Sequence, residues 1–309
     1  MYAPGFPTGV DARARTDRAS SLRKLVLSDE LSFLMEAHDA LSATIAERCG
    51  FRGLWASGLS IASSLGYRDA NEASWSEMVD AVERMAETVQ VPILVDGDSG
   101  FGNFNNARLV AAKMCQRGAA GICLEDKWFP KMNSFVGDHH PLAEIGEFCG
   151  RLRAVKDTVG DSDFVLVARV EALIAGHGQE EALKRAHAYA ESGADAILIH
   201  SRLSTADEIL AFAQLWQNRL PLIIVPTKYY RTPVSVYRTA GISTVIWANH
   251  AMRAAVAAMR QVCGRILSEE GIAGIEGDIA SLDEVFGLLR YDELAAAEKR
   301  YLSSGLGGA

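Results

Sequence analysis

The sequence has 309 residues, of which 49% are hydrophobic and 23% charged, and its formal net charge is −8 at pH 7. This composition is ordinary for a globular protein with a substantial core, and the length suits one large α/β domain or two small ones. The acidic balance argues against a nucleic-acid partner, because nucleic-acid-binding surfaces normally show clustered Lys and Arg. No apolar run approaches the roughly 20 residues that span a bilayer, so we expect no membrane partner either.

The cysteines are scattered along the chain and include no Cys-x-x-Cys pair. An odd number without paired spacing argues against both a zinc site and a disulfide framework. We therefore expect buried, reduced thiols in a cytoplasmic protein. The five residues are Cys49, Cys115, Cys123, Cys149 and Cys263.

In chain order, residues 1–21 lack the apolar stretch of a secretory signal and are expected to form a mobile leader. Short apolar runs then alternate with amphipathic stretches as far as about residue 270. The runs are mostly rich in Val, Ile or Leu and are bounded by turn residues, which is typical of strands buried on both faces of a parallel sheet. The predicted strands cover residues 33–38, 53–57, 92–96, 121–125, 164–170, 196–200, 222–226 and 244–248.

Helical patterns separate these runs and cover residues 75–89, 107–117, 142–159, 180–192 and 206–216. Glycines that would serve as helix C-caps stand at positions 50, 118, 193 and 241. Eight βα units predict an α/β fold of the (β/α)₈ TIM-barrel type over residues 22–270. A doubly wound open sheet is the alternative, although no G-x-G-x-x-G turn follows the first strand. Residues 271–309 contain two further helical stretches, 282–289 and 291–302, expected to pack on the barrel or on a partner subunit.

Nearly every predicted strand ends in a polar or charged residue, and active sites of barrels form at the carboxyl ends of the strands. Asp96 and Asp98 stand two apart at one such end, so they share one face, and Glu125 follows the next strand. Carboxylates this close repel each other unless a cation lies between them. Oxygen ligands without His or Cys suit Mg²⁺ or Mn²⁺ better than zinc. The alternative interpretation is an Asp-Gly turn with capping carboxylates.

Three other charged residues each permit a functional and a structural interpretation. Asp69 lies in a polar loop, where a capping contact ahead of the next helix is by itself the better interpretation. Lys131, in a long loop running to Pro141, could close over an anion or could simply be solvated. Arg169, at a strand end, could bind a carboxylate or phosphate, or form a structural ion pair.

From about Leu22 to Leu302 the sequence resembles the phosphoenolpyruvate mutase family, within the phosphoenolpyruvate mutase/isocitrate lyase superfamily. The resemblance rests on many segments in the same order, which is more specific than any single motif. Two of them are Asp96-Gly97-Asp98-Ser99-Gly100 and Lys131-Met132-Asn133-Ser134. In full, the segments are residues 35–38, 55–60, 68–72, 96–106, 124–134, 168–172, 195–201, 225–230 and 246–250.

The resemblance implies an isomerase that moves the phosphoryl group of phosphoenolpyruvate from oxygen to carbon 3, forming the C–P bond of 3-phosphonopyruvate for phosphonate biosynthesis. It implies a nucleophile at Asp69 that carries the phosphoryl group, and Mg²⁺ held by Asp96, Asp98 and Glu125, directly or through water. The other implied site residues are the gating-loop residues Lys131, Asn133 and Ser134, the pocket histidine His200, and the substrate-binding residues Trp55, Ser57, Gly58, Leu59 and Arg169. Relatives also exchange a C-terminal helix between subunits and assemble as dimers of dimers, which implies a homotetramer.

Three alternatives compete with the mutase interpretation. A phosphonopyruvate hydrolase would share the barrel and the nucleophile but typically has threonine in the loop where Asn133 stands beside Lys131. A carbon–carbon lyase would need a Lys-Lys-Cys-Gly-His loop, which is absent. A non-catalytic barrel that binds an oxoacid would not need a nucleophile and a closing loop together. One departure from the family pattern is Ser99, which replaces the usual Thr but keeps the hydroxyl group.

Overall fold

The computed structural model describes residues 12–137 and 139–302, with side chains from residue 16 onward. Within these residues, eight parallel strands pair in chain order, and the last strand pairs with the first to close a barrel. The predicted (β/α)₈ fold is therefore confirmed, and the open sheet is excluded. The strands are β1 (Ser32–Ala37), β2 (Leu54–Ala56), β3 (Ile93–Asp96), β4 (Gly121–Glu125), β5 (Val165–Val170), β6 (Ala196–Ile199), β7 (Leu222–Ile224) and β8 (Thr244–Trp247).

Helices connect the strands and form the outer layer of the barrel. The four glycines predicted as helix C-caps all have positive φ angles, between +72° and +98°. The helices are α1 (Ala12–Val26), α2 (Ala40–Arg48), α3 (Gly58–Ser64), α4 (Trp75–Thr88), α5 (Phe104–Gln116), α6 (Ile145–Thr158), α7 (Gly178–Glu191), α8 (Asp207–Trp216), α9 (Val234–Thr239), α10 (His250–Glu269), α11 (Leu282–Leu288) and α12 (Tyr291–Tyr301).

Strand residues point alternately to two apolar cores, which explains why the strands are short continuous apolar runs. One set, including Leu34, Leu94 and Leu198, packs in the barrel interior. The other set, including Ile93 and Leu166, packs against the surrounding helices. With both faces of each strand filled by hydrocarbon, polar side chains are left to the strand ends.

Helix α1 places part of the predicted leader within the barrel unit. Residues 1–11 lie outside the described residues, but the chain is helical from Ala12. Ala19 and Leu22 are buried, and Leu22 packs with the interior core. The prediction of a mobile leader is therefore wrong for residues 12–21, because the apolar face of α1 covers the amino ends of the strands.

The chain divides into two compact units, with the division between Met252 and Arg253. The barrel was predicted to end at residue 270, which is later than this division. The division falls inside α10, so no linker separates the two units in the sequence. In the second unit, α11 and α12 correspond to the two predicted C-terminal helices. The exchange of a helix between subunits stays a prediction.

None of the helices in the described part of the chain combines the length and apolarity that a bilayer crossing needs. All five cysteines are free, as expected. Cys123 and Cys149 are buried, but the expectation of buried thiols is wrong for Cys49 and Cys263, which are exposed.

Candidate active site

A cavity of about 60 Å³ opens at the carboxyl ends of the strands. It brings together ten residues predicted for the site with five that were not. A larger cleft of about 770 Å³ lies at the opposite end, near Phe33 and Pro92, where residues of this fold serve stability rather than catalysis. The cavity is lined by Trp55, Ser57, Leu59, Asp69, Asp96, Lys131, Asn133, Ser134, Phe135, Arg169, His200, Val225, Thr227, Ala248 and Asn249.

The three predicted metal ligands are buried carboxylates, of which Asp96 lines this cavity. Asp96 ends β3 and its Oδ2 accepts a hydrogen bond of 3.3 Å from the Gly58 amide. Asp98 follows with φ of +48°, a left-handed conformation that Asp tolerates. Burial raises the pKa of Asp98 to about 7, and it also raises the pKa of Asp96. In both cases Lys131 opposes the shift but does not cancel it.

Gly58 fits closely against these carboxylates. A Cβ atom at this position would lie 3.1 Å from Asp96 Oδ2 and 3.3 Å from Asp98 Oδ1. Only glycine therefore leaves both carboxylates where they are. Ser57 precedes it as the N-cap of α3, and its Oγ accepts a hydrogen bond of 3.3 Å from the Ser60 amide.

The residues fit a divalent cation for two reasons: their ligand atoms are carboxylate oxygens, and two of these oxygens lack a hydrogen-bond donor among the described residues. Glu125 Oε1 and Asp98 Oδ1 are buried without a hydrogen-bond donor among the described residues. The described residues include no group of three carboxylate, His or Cys side chains already arranged around one point as metal ligands. The positive charge next to Asp98 comes from the Lys131 ammonium, which lies 2.8 Å from Asp98 Oδ1. This is an ion pair without hydrogen-bond geometry. A cation here would favour the ionised form of these carboxyls, whose pKa is raised by burial and, to a smaller extent, by their mutual repulsion.

Asp69 is held at the cavity by two side chains of the β4–α6 loop. Lys131 Nζ donates to Oδ1 at 2.6 Å, and Asn133 Nδ2 donates to Oδ2 at 2.6 Å. Burial alone would raise the pKa of Asp69, but these two partners outweigh burial and lower it. The capping interpretation is wrong, because Ser74 is the N-cap of α4 and Glu77 completes its capping box.

Asn71 links Asp98 to the same loop. Its Nδ2 donates to Asp98 Oδ2 at 2.8 Å, while its Oδ1 accepts from the Lys131 amide at 2.7 Å. Asn71 has φ of +57°, which turns its side chain into this bridging position. It lies within one of the segments that resemble the family, but sequence alone assigned it no role, because the two groups it joins are distant in sequence.

Arg169 lies between the cavity and a buried carboxylate. Its Nε donates to Glu171 Oε1 at 2.6 Å, so the structural ion pair exists, and Nη2 lies 3.4 Å from Glu125 Oε2. Pairing of β4 with β5 sets Glu125 beside Arg169 in register. The structural ion pair is thus confirmed, while binding of a carboxylate or phosphate by Arg169, which also lines the cavity, stays a prediction.

His200 is buried at the end of β6 with one ring nitrogen unpaired. Nδ1 lies 2.8 Å from Glu171 Oε1 and 2.9 Å from Arg169 Nη2. Burial lowers the pKa of His200, although Glu171 opposes the shift, so the ring is neutral near pH 7. Nε2 has no hydrogen-bond partner among the described residues. This atom is available to a ligand in the cavity.

The hydroxyl of Ser134 has no hydrogen-bonding capacity left for a ligand. It accepts from Lys127 Nζ at 2.5 Å and from Arg169 Nη2 at 3.0 Å, and donates to Glu171 Oε2 at 2.6 Å. Neither Lys127 nor Glu171 was predicted as a site residue. Each follows a predicted site residue by two positions at a strand end, and this spacing could have identified both.

Two further residues complete the comparison of the site with the sequence. Phe135 was not predicted, but its ring packs edge-on against His200 with 5.3 Å between centroids. Ser99, the departure from the family pattern, does not line the cavity; its buried hydroxyl has no partner among the described residues. Replacing Thr by Ser therefore leaves the cavity wall unchanged.

The sequence matches the profile of the family described as phosphoenolpyruvate phosphomutase over residues 22–267. A phosphoenolpyruvate phosphomutase of Tetrahymena pyriformis is 51% identical over 93% of this chain and 96% of its own length. A phosphonopyruvate hydrolase of Variovorax sp. (strain Pal2) is 43% identical over 91% of this chain and 98% of its own length.

Solved structures agree with the sequence matches. A phosphoenolpyruvate phosphomutase from Streptomyces platensis subsp. rosaceus superposes with a TM-score of 0.90 at 41% identity, over 92% of this chain and 99% of that one. A phosphonopyruvate hydrolase in complex with oxalate and Mg²⁺ gives a TM-score of 0.88 at 41% identity, over 93% of this chain and 99% of that one. The barrel fold is thus shared with these two proteins.

Proposed function

The chain belongs to the phosphoenolpyruvate phosphomutase family, and from this membership we propose that it interconverts phosphoenolpyruvate and 3-phosphonopyruvate. The observation that carries the proposal is the position of Asp69. Its carboxylate is held on both oxygens by Lys131 and Asn133, in one small cavity with Asp96 and Arg169. A nucleophile, an anion-binding guanidinium and a closed loop thus meet at one end of the barrel.

Asp69 is the proposed carrier of the phosphoryl group. One carboxylate oxygen attacks the phosphorus of phosphonopyruvate, the C–P bond breaks, and its electron pair passes into the pyruvate enolate. The phosphoryl group then rests on Asp69 as an acyl phosphate, which splits one difficult transfer into two displacements. The enolate oxygen attacks phosphorus in the second step, giving phosphoenolpyruvate and releasing the Asp69 carboxylate. The lowered pKa of Asp69 supports this role, because only the ionised form attacks.

We further propose that Asp96, Asp98 and Glu125 would hold Mg²⁺, directly or through water. The absence of a hydrogen-bond donor to Asp98 Oδ1 and Glu125 Oε1 among the described residues supports this assignment, as does the Mg²⁺ in the solved complex of the related hydrolase. Bound there, Mg²⁺ would supply positive charge where negative charge develops on the enolate oxygen.

The proposed substrate contacts come from the remaining walls of the cavity. Arg169 would present its guanidinium to a carboxylate or phosphonate oxygen, and His200 would donate from Nε2 to a second oxygen in the tautomer whose Nδ1 accepts from Arg169 Nη2. The Ser57–Gly58 segment would meet the carboxylate end, since Ser57 lines the cavity and the neighbouring Gly58 amide donates to Asp96 in the cavity wall. Trp55 would form the apolar floor.

Lys131, Asn133 and Ser134 are the proposed gate. All three side chains already contact residues of the barrel, so the loop covers the cavity. A covered cavity excludes the water that would otherwise take the phosphoryl group and give pyruvate and phosphate. Mutase and hydrolase chemistry differ in this one respect.

The hydrolase activity is the second candidate, and the higher identity to the mutase, 51% against 43%, favours the mutase. A non-catalytic oxoacid-binding barrel is disfavoured by the buried, ionised Asp69. Incubating the protein with Mg²⁺ and phosphonopyruvate and following phosphorus by ³¹P NMR separates the three. We expect phosphoenolpyruvate; inorganic phosphate as the main product would mean hydrolase, and an unchanged spectrum would mean a binding protein.

Assembly and location complete the proposal. By analogy with the family we propose a cytoplasmic homotetramer, a dimer of dimers that exchanges a C-terminal helix. No nucleic-acid or membrane partner is proposed, in keeping with the acidic net charge of −8.

A further inference from the structure

The β4–α6 loop, between Glu125 and Ile145, is held by contacts at its base as well as at its tip. Lys127 pairs with Leu142 in an isolated antiparallel bridge, and the Trp128 amide donates to Pro141 O at 2.9 Å. The two ends of the loop are therefore joined, and movement of the tip requires the breaking of contacts inside the loop. Residues 131–135, here called the tip segment, are the part that covers the cavity.

Two separate groups of contacts hold the tip segment. The first is at the reaction centre, where Lys131 and Asn133 bind Asp69. The second lies beneath the tip, where Lys127 Nζ donates to Met132 O at 2.9 Å and to Ser134 Oγ at 2.5 Å. Only the second group depends on a side chain, that of Lys127, to which the proposed phosphoryl transfer assigns no role.

The ammonium of Lys127 depends on the closed loop for its partners. Its side chain is only 2% exposed, and its third neighbour is Glu171 Oε2 at 3.2 Å. Two of its N–H donors are thus used by Met132 and Ser134, and its charge pairs with Glu171. Opening the tip segment would remove both hydrogen-bond acceptors and leave the buried charge with the ion pair to Glu171, which is unfavourable. Closure of the loop and hydrogen bonding of the Lys127 ammonium therefore depend on each other.

We propose that Lys127 is a positioning residue that latches the tip segment over the reaction chamber and so keeps water from the phosphorylated Asp69. This inference rests on the proposed mutase function. During transfer the carboxylate of Asp69 is occupied by the phosphoryl group, so its bonds to Lys131 and Asn133 must change. The Lys127 contacts do not involve Asp69, and they persist through that step.

The test uses Lys127→Met, which keeps an unbranched side chain one heavy atom shorter and removes the donors and the charge. The reaction starts from phosphonopyruvate with Mg²⁺ in H₂¹⁸O, and ³¹P NMR follows phosphoenolpyruvate and phosphate. A water oxygen that attacks phosphorus breaks the Asp69–phosphorus bond, gives phosphate with one ¹⁸O, and leaves the enolate to be protonated to pyruvate. We expect the labelled-phosphate fraction to rise at least about tenfold, because the variant removes both hydrogen bonds from Lys127 to the tip segment and the loss of one charge-assisted hydrogen bond alone implies about that change.

Hydrogen exchange provides a readout that does not depend on activity. Amides of the tip segment should exchange faster in Lys127→Met, while those of β4 should not. Lys127→Arg keeps the charge and the donors. Its labelled-phosphate fraction and tip-segment exchange rates should therefore lie closer to the wild-type values than those of Lys127→Met. If Lys127→Met does not fold, Lys127→Gln carries the same test.

Lys156→Met is the matched control. Lys156 Nζ pairs with Asp195 Oδ2 at 3.0 Å, just before β6 and thus at the opposite end of the strands. This variant should leave both readouts at wild-type values. An unchanged phosphate fraction in folded Lys127→Met, with or without faster exchange, would overturn the latch. If wild type itself forms no phosphoenolpyruvate, the proposed function fails instead, and the exchange data alone decide the coupling.

Discussion

At the scale of single residues, the position of Asp69 depends on partners that are distant in sequence. Lys131 and Asn133 lie more than 60 residues downstream, and only the closed barrel brings them to Asp69. From local sequence, a capping role was the better interpretation of Asp69, whereas Ser74 is the cap in the structure. The type of residue could thus be identified from sequence, but its environment could not.

Asp69→Asn tests the nucleophile with almost no change in shape. The amide cannot form an acyl phosphate, so we expect turnover to fall on the order of 10⁴-fold. Thermal stability should change little, and Mg²⁺ should still bind. Asp80→Asn, an exposed position on α4, serves as the control and should retain wild-type turnover. Turnover within tenfold of wild type in Asp69→Asn would exclude the covalent route.

Gly58→Ala tests whether Asp96 and Asp98 act together on a cation. The added methyl group would lie 3.1 Å from Asp96 Oδ2 and displace the carboxylates. We expect the Mg²⁺ concentration for half-maximal activity to rise by about tenfold, as for other changes next to metal ligands. In a metal titration of chelator-treated protein, an unchanged Mg²⁺ requirement would contradict the assignment.

Gly150→Ala is the matched control for this substitution. Gly150 lies inside α6, and a Cβ there would meet nothing within 4 Å. Alanine favours the helix by up to about 1 kcal/mol relative to glycine. This variant should therefore keep the wild-type Mg²⁺ requirement and be slightly more stable.

At the scale of elements, strand positions could be predicted well and the role of α1 could not. Every predicted strand lies within two residues of an observed one, because continuous Val, Ile and Leu runs are specific for strands buried on both faces. Helix α1 has a mixed sequence with Arg18 and Arg23 among its apolar residues. Its buried face becomes evident only where it meets the barrel interior, so composition alone suggested a leader.

Leu22→Ala tests the contribution of α1. Leu22 is fully buried in the interior core, so the truncation should lower the free energy of unfolding by about 2–5 kcal/mol. Leu27→Ala, at a position 45% exposed, should change it far less. Urea unfolding followed by circular dichroism measures both variants. Equal stability of the two would mean that the helix is peripheral after all.

At the scale of the whole molecule, the closed barrel explains why a pattern of polar strand ends predicted so much of the site. Parallel strands that close in chain order bring all eight carboxyl ends together. Residues at strand ends could therefore be assigned to one site from sequence. Residues in loops, such as Asn71 and Phe135, could not, because loop conformation decides which of them reach the cavity.

Assembly is the prediction that belongs to this scale. We propose a homotetramer, and sedimentation velocity at micromolar concentration should then give a single species of four chains. A monomer under the same conditions would contradict both the tetramer and the helix exchange. The barrel itself would be unaffected, since its strands close within one chain.

The central claim is that the phosphoryl group is carried by Asp69 between two displacements, and its stereochemistry tests this most directly. Each in-line displacement inverts the configuration at phosphorus, so two displacements give net retention. Substrate made chiral at phosphorus with sulfur and ¹⁸O should therefore yield product of retained configuration. Net inversion would mean a single direct transfer from carbon to oxygen and would contradict the role of Asp69.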